Sequence, residues 1–199
     1  TTSYSTNLIG KHNAYNIVGA IAAVRSLGVT HVHCQRALEK FTGIPGRLQR
    51  VPGSQRNAFV DYAHTPDALE KVLQALNGLK GSAKIITVFG CGGDRDAGKR
   101  PLMGQMAQKY SDICVVTSDN PRSEDPQAII KDITGGMDTS KAVVEADREK
   151  ALKKAVEISG NGDIILIAGK GHEDYQIIGS QTLQFSDYDK MKSILEGTK

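Results

Sequence analysis

The stretch Ile164-Ile165-Leu166-Ile167-Ala168-Gly169-Lys170-Gly171-His172-Glu173 decides the fold. Its first five residues are apolar without alternation, the pattern of a strand buried on both faces of a parallel sheet. Glycines then break the run, and charged side chains stand directly behind it. The same design recurs twice upstream. Ile85-Ile86-Thr87-Val88-Phe89 leads into Gly90-Cys91-Gly92-Gly93-Asp94-Arg95, and Ile113-Cys114-Val115-Val116-Thr117 leads into Asp119-Asn120-Pro121-Arg122. Periodicity predicts strands at 57–61, 84–89, 113–117, 142–144 and 163–168, with helices at 66–79, 101–109, 126–134, 147–159 and 187–196 between and after them. Strand alternating with helix predicts an α/β protein with a mostly parallel, doubly wound sheet. Ligands of such sheets bind at the carboxyl ends of the strands, so the loops that follow each strand carry the functional information.

Ahead of this pattern the chain is helical only. Asn13 to Leu27 and His33 to Phe41 have helical spacing, and the loop Gly43-Ile44-Pro45-Gly46-Arg47 separates them from the strands, which predicts a boundary near residue 46. A length of 199 residues suits one large domain, or one domain with an appendage. Twenty-five basic against twenty-two acidic residues give +3 with no basic block, and Trp is absent, so neither nucleic acid nor a membrane surface is expected as a partner. Cys34, Cys91 and Cys114 are odd in number and widely spaced, as expected of buried thiols in a reducing compartment. The longest apolar runs are of strand length, far short of the ~20 residues that span a bilayer. A soluble, cytoplasmic protein is expected.

Four loops follow the main strands. In Asp61-Tyr62-Ala63-His64-Thr65-Pro66-Asp67, Thr65 is placed to cap a helix that begins at Pro66. Asp61 at the strand end either accepts from a ribose hydroxyl or holds its own turn, and His64 stands beside it. The loop Gly90 to Pro101 contains Gly93 to Lys99 at the spacing of a phosphate-binding P-loop. Arg100 stands where that motif needs Ser or Thr, Pro101 removes an amide donor, and Asp94 and Asp96 put negative charge where phosphate would lie, so the motif fails. What survives is a loop expected to present Arg95, Lys99 and Arg100 to an anion. In the third loop Pro121 biases Asn120 toward extended backbone, and Arg122 suits a carboxylate gripped by two parallel hydrogen bonds. In the fourth, Gly169 and Gly171 permit close backbone approach and Glu173 supplies a fixed negative charge. Arg95 and Arg122 holding a carboxylate while Glu173 pairs with an ammonium describes a site for an amino acid zwitterion.

These four loops, in this order and over essentially the whole chain, resemble the Mur ligases. Within that family the likeness is to those that add meso-2,6-diaminopimelate to UDP-MurNAc-L-Ala-D-Glu in peptidoglycan precursor synthesis. The resemblance implies an ATP- and Mg2+-dependent ligase that activates a carboxylate as an acyl phosphate, which the incoming amine then attacks. It implies that residues 1–45 end a central ATPase domain and that residues 46–199 form a Rossmann-like carboxy-terminal domain. It places Asn13, Asn16, Arg47, Asp61 and His64 at ATP, and Arg95, Asn120, Arg122, Gly169 and Glu173 at diaminopimelate. Lysine-adding members lack the distal carboxylate of the amino acid, so Arg122 argues for diaminopimelate. Loss of one such charged contact costs on the order of 2 to 5 kcal/mol, enough to separate the two amino acids.

The family's P-loop ending Gly-Lys-Thr/Ser, its carbamylated lysine, its magnesium ligands and its UDP-binding domain are missing from these residues. The chain is therefore expected to be a fragment, monomeric and inactive alone, with no catalytic residue or metal ligand of its own.

Overall fold

The computed structural model describes residues 2–53 and 56–197. The chain divides into two compact units, Thr1–Ile44 and Pro45–Lys199. The first holds α1 (Lys11–Ser26) and α2 (His31–Lys40). Thr30 caps α2 by accepting from the His33 amide, and Gly28, in left-handed backbone at φ 88°, ends the turn after α1. No side chain of α1 is buried.

The second unit is built on six strands: β1 (Gln49–Val51), β2 (Asn57–Asp61), β3 (Ile85–Phe89), β4 (Ile113–Val116), β5 (Ala142–Val144) and β6 (Ile164–Ala168). Their order across the sheet is β1-β2-β6-β3-β4-β5, antiparallel only at β1 and β2. β6 lies at the centre, with Leu166 between Phe59 on one side and Thr87 on the other. Every residue of β3 and β6 is buried, as their unbroken apolar character requires.

Five helices cover the faces: α3 (Pro66–Asn77), α4 (Lys99–Tyr110), α5 (Pro126–Thr134), α6 (Arg148–Ile158) and α7 (Asp187–Gly197). Thr65, Asp125 and Asp147 cap α3, α5 and α6 through side-chain oxygens, and Pro66 and Pro126 occupy first helical positions where no amide donor is missed. Helices α3, α4 and α5 pack in succession, while α6 packs with α7 and against β3, β4 and β6. The return from β5 through α6 inserts β6 between β2 and β3, which winds the sheet in both directions. Val60, Val88, Ile165 and Ile167 meet Leu152, Val156, Met191 and Leu195 in one core layer. Full burial of each such side chain contributes roughly 1.5 to 3 kcal/mol.

This is the expected Rossmann-like, mostly parallel doubly wound architecture. Two differences bear on function. Helix α4 starts at Lys99, ahead of the expected residue 101, because Pro101 falls within the first turn, where its missing amide leaves no hydrogen bond unmade. A separate hairpin, β7 (Tyr175–Ile178) and β8 (Gln181–Gln184), occupies a segment for which no strand was expected. Among the described residues no helix is long and apolar enough to cross a membrane.

Candidate functional site at the carboxyl ends of the strands

The loops after β2, β3, β4 and β6 meet around a cavity of about 370 Å³, lined among others by His64, Arg95, Lys99, Asn120, Arg122 and Glu173. The tetrapeptide Asp119 to Arg122 forms one wall, and its shape comes from β7. The Arg122 amide donates to the Ile177 carbonyl (3.1 Å), and the Gly179 amide donates to the Arg122 carbonyl (2.7 Å). These bonds hold Arg122 in left-handed backbone at φ 52°, a conformation a non-glycine residue adopts only when its surroundings impose it. The Gln176 side chain donates to the Asp119 carbonyl (2.7 Å), and the Ile177 amide to Asn120 Oδ1 (3.0 Å).

The β3 loop closes on the same backbone. The Gly93 amide donates to the Asn120 carbonyl (2.9 Å), and Arg122 Nη1 donates to the Gly93 carbonyl (2.8 Å). A Cβ at Gly93 would stand 1.9 Å from the Pro121 carbonyl oxygen, so only glycine permits this approach. Gly169 serves the neighbouring junction: its φ is 117°, and a Cβ there would lie 2.8 Å from Asp119 Oδ2. The site candidate Gly169 thus has a steric reason to be glycine.

Glu173 is held from inside the protein. Its Oε2 accepts from Asn120 Nδ2 (2.9 Å) and faces Lys170 Nζ (3.4 Å), whose side chain is fully buried. Sequence reasoning missed Lys170, since nothing in a Gly-Lys-Gly turn distinguishes a buried lysine from a solvated one.

One expectation is corrected. Arg100 is not presented to the cavity with Arg95 and Lys99. It is buried and paired with Glu124 (2.8 Å) and Asp132 (2.9 Å), so it fastens α4 to the segment leading into and through α5. Its Nε has no hydrogen-bond partner among the described residues. Arg100 also holds the Glu124 carboxyl below its ordinary range, helped by the Asp94 amide that donates to the same oxygen (2.6 Å). Arg95 remains exposed, with Nη1 on the Asp94 carbonyl (3.0 Å), and Lys99 Nζ reaches the His64 carbonyl (3.1 Å). Burial pushes the Cys91 thiol, also in the lining, up to about 12.

The residues expected at a nucleotide group differently. The Arg47 guanidinium lies over the Tyr62 ring at 4.7 Å, and Tyr62 also meets His64 edge-on at 4.6 Å and His172 at 5.6 Å. Asp61 accepts from the Leu48 amide (2.7 Å) and the Ala63 amide (2.8 Å), so its carboxylate already ties β2 to the chain before β1. Asn13 and Asn16 belong to the first unit: Asn13 Nδ2 donates to the Ile9 carbonyl (2.7 Å) and Asn16 is exposed. Arg95, Asn120, Arg122, Gly169, Glu173 and His64 therefore share one cavity, which Arg47 meets through the lining residue Tyr62, while Asp61 is not in its lining.

Residues 46–171 match the family described as Mur ligase, glutamate ligase domain. Over 195 residues the chain is 49% identical to UDP-N-acetylmuramoyl-L-alanyl-D-glutamate--2,6-diaminopimelate ligase of Aquifex aeolicus, covering 98% of this chain and 40% of that protein. The protein of the same name from Lawsonia intracellularis is 50% identical over 193 residues, 96% of this chain and 39% of its own length. A solved structure of a UDP-N-acetylmuramoyl-L-alanyl-D-glutamate--2,6-diaminopimelate ligase superposes with a TM-score of 0.76 at 41% identity, over 98% of this chain and 40% of that one. Folylpolyglutamate synthase of Thermotoga maritima, at 16% identity, shares the fold, with a TM-score of 0.67 over 85% of this chain and 38% of that one. The chain spans about 40% of the length of the curated relatives it matches. By the family match across most of the second unit and by these identities, the chain belongs to the Mur ligase family.

Proposed function

We propose that this chain is the carboxy-terminal, amino-acid-holding part of an ATP-dependent ligase that joins meso-2,6-diaminopimelate to UDP-MurNAc-L-Ala-D-Glu in the cytoplasm. The observation that carries this reading is the charge layout of one cavity. Arg95, Arg122 and the Asn120 amide line it with donors suited to a carboxylate, and Glu173 in the same lining offers the acceptor for an ammonium. Diaminopimelate has a second amino acid centre that must be held while its other amine attacks, and these groups suit that centre. The names of the relatives support the same substrate pair.

Residues 1–45 are assigned in this proposal to the end of a central ATPase domain and residues 46–199 to the domain that delivers the amine. ATP, when bound, supplies the phosphoryl group that activates the acceptor carboxylate. Arg47, Asp61 and His64, with Asn13 and Asn16 from the first unit, are the residues proposed to meet it. Asp61 fits the part because it stands at the carboxyl end of β2, where a carboxylate is placed to accept from a ribose hydroxyl. Magnesium does not fit here in the same way. Among the described residues no three His, Cys, Asp or Glu side chains gather to hold a metal, so none is assigned to it.

The test is ligation by the protein extended to the length of its relatives, supplied with meso-diaminopimelate or L-lysine. Use of meso-diaminopimelate in preference by at least tenfold is the expected result, with no turnover by the 199-residue chain alone. Preference for L-lysine would overturn the reading.

A further inference from the structure

We propose that Lys170 is a positioning residue that assigns opposite roles to the two cavity groups it touches, making Asn120 a pure donor and leaving Glu173 one free acceptor oxygen. Only the identity of the ligand rests on the diaminopimelate reading; the assignment of roles does not.

The Lys170 side chain is 0% exposed, and a buried ammonium persists only where acceptors surround it. Its Nζ donates to Asn120 Oδ1 at 3.1 Å, faces Glu173 Oε2 at 3.4 Å and stands 5.4 Å from the centre of the Tyr175 ring. An ammonium carries three donors and no acceptor. The Ile177 amide, also an obligate donor, reaches the same Asn120 oxygen at 3.0 Å. Two donors on one side fix which end of the amide faces them, so Oδ1 is turned inward and both of its lone pairs are used. Nδ2 then faces Glu173 Oε2 at 2.9 Å with one N–H to spare. Asn120 can give a ligand a donor and nothing else.

The same ammonium acts on Glu173. With Lys170 and Asn120 both at Oε2, the side chain is anchored through one oxygen, and Oε1 has no hydrogen-bond partner among the described residues. One carboxylate oxygen is thereby left for a cationic group, while the Asn120 N–H and the Arg122 guanidinium remain for a carboxylate. Without the lysine charge, Asn120 Oδ1 keeps only the Ile177 amide of its two donors, so the side chain is held less firmly, and Glu173 presents uncompensated negative charge beside the place a carboxylate must occupy.

The experiment uses the 15N-labelled chain and its Lys170→Met and Lys170→Gln variants. Hydrogen exchange of the Asn120 side-chain amide is followed by NMR, with the backbone amides of β6 as the control for folding. Calorimetry with meso-diaminopimelate and L-lysine is run in parallel. Asn120 exchange is expected to speed up at least tenfold in both variants while β6 stays protected, and discrimination between the two amino acids is expected to narrow at least tenfold. Unchanged Asn120 exchange in a folded variant overturns the positioning role whatever the ligand. Unfolding of both variants assigns Lys170 to the fold and overturns it as well. Loosened Asn120 with no wild-type preference for meso-diaminopimelate sustains the positioning role and counts against the ligand reading alone.

Discussion

Arg148 and Asp187 meet in a two-pronged ion pair from which solvent is wholly excluded, Nε on Oδ1 at 2.8 Å and Nη2 on Oδ2 at 2.8 Å. Two further donors of the guanidinium reach the Ser118 carbonyl (3.1 Å) and the Ala168 carbonyl (3.1 Å). These carbonyls immediately precede Asp119 and Gly169, so one side chain from the start of α6 ties together the strand ends that carry two walls of the cavity. Removing one member of such a pair leaves an uncompensated buried charge and costs about 3 to 5 kcal/mol. Asp187→Asn and Arg148→Met should each lower the urea midpoint accordingly. The double variant Arg148→Met/Asp187→Leu should recover most of that stability, and it should not recover ligand affinity, because the strand ends stay untied.

Arg122→Gly separates the fold from the site. Left-handed backbone at a non-glycine residue costs about 1 to 3 kcal/mol, which glycine relieves. Against this stands the loss of the charged side-chain bond to the Gly93 carbonyl (2.8 Å), about 1.5 to 3 kcal/mol, and of a long, weak one to the Asn120 carbonyl (3.4 Å). Thermal melting should therefore move little. Loss of a charged hydrogen bond to the ligand carboxylate, about 1.5 to 3 kcal/mol, should lower meso-diaminopimelate affinity about ten- to a hundredfold in calorimetry.

Acid stability should reflect Glu149. Lys190 (2.6 Å) and Lys153 (2.9 Å) hold its carboxyl down to about 2 from an ordinary 4.5. Between those two values the unfolded chain binds the proton and the folded chain does not, so stability rises with pH. The contribution is complete above about pH 4.5 and disappears as the pH falls toward 2. The carboxylate is 35% exposed, so the amount is that of a surface pair, about 1 kcal/mol or less, and added salt should reduce it. Urea titrations at pH 5, 4 and 3 should show a smaller loss in Glu149→Gln than in the wild type.

Gly93→Ala places a methyl group against the Pro121 carbonyl and forces the β3 loop off the tetrapeptide. Overpacking of this kind costs about 1 to 3 kcal/mol. A lowered melting temperature together with weakened ligand binding is expected. Gly162→Ala, where a Cβ meets nothing within 4 Å but φ is 84°, should lower stability through backbone strain and leave binding unchanged.

The central strands were legible because continuous apolar runs of five residues have few alternatives, and 57–61 and 142–144 were located to the residue. The loops after β3, β4 and β6 were legible for the same reason, since each follows the end of an apolar run. What escaped was decided by distant partners. Arg100 looked like part of a cationic loop because Glu124 and Asp132, which bury it, lie 24 and 32 residues further along the chain. The hairpin did carry a signal in Gly179-Ser180, two turn residues between Tyr175–Ile178 and Gln181–Gln184, with Gly179 in left-handed backbone at φ 58°. Its fully exposed β8 lacks the apolar alternation that marks a half-buried strand, so the pattern was faint.

The hairpin also changes how the tetrapeptide is to be understood. Arg122 forms a parallel bridge with Ile178 one residue before the turn, so this cavity-lining arginine is a rung of a ladder whose outer rail lies in solvent. Precision at the binding wall is thus leased from a surface ribbon. Lengthening or stiffening the bend at Gly179 would retune the grip of the guanidinium from outside the cavity, leaving every side chain inside it as it was.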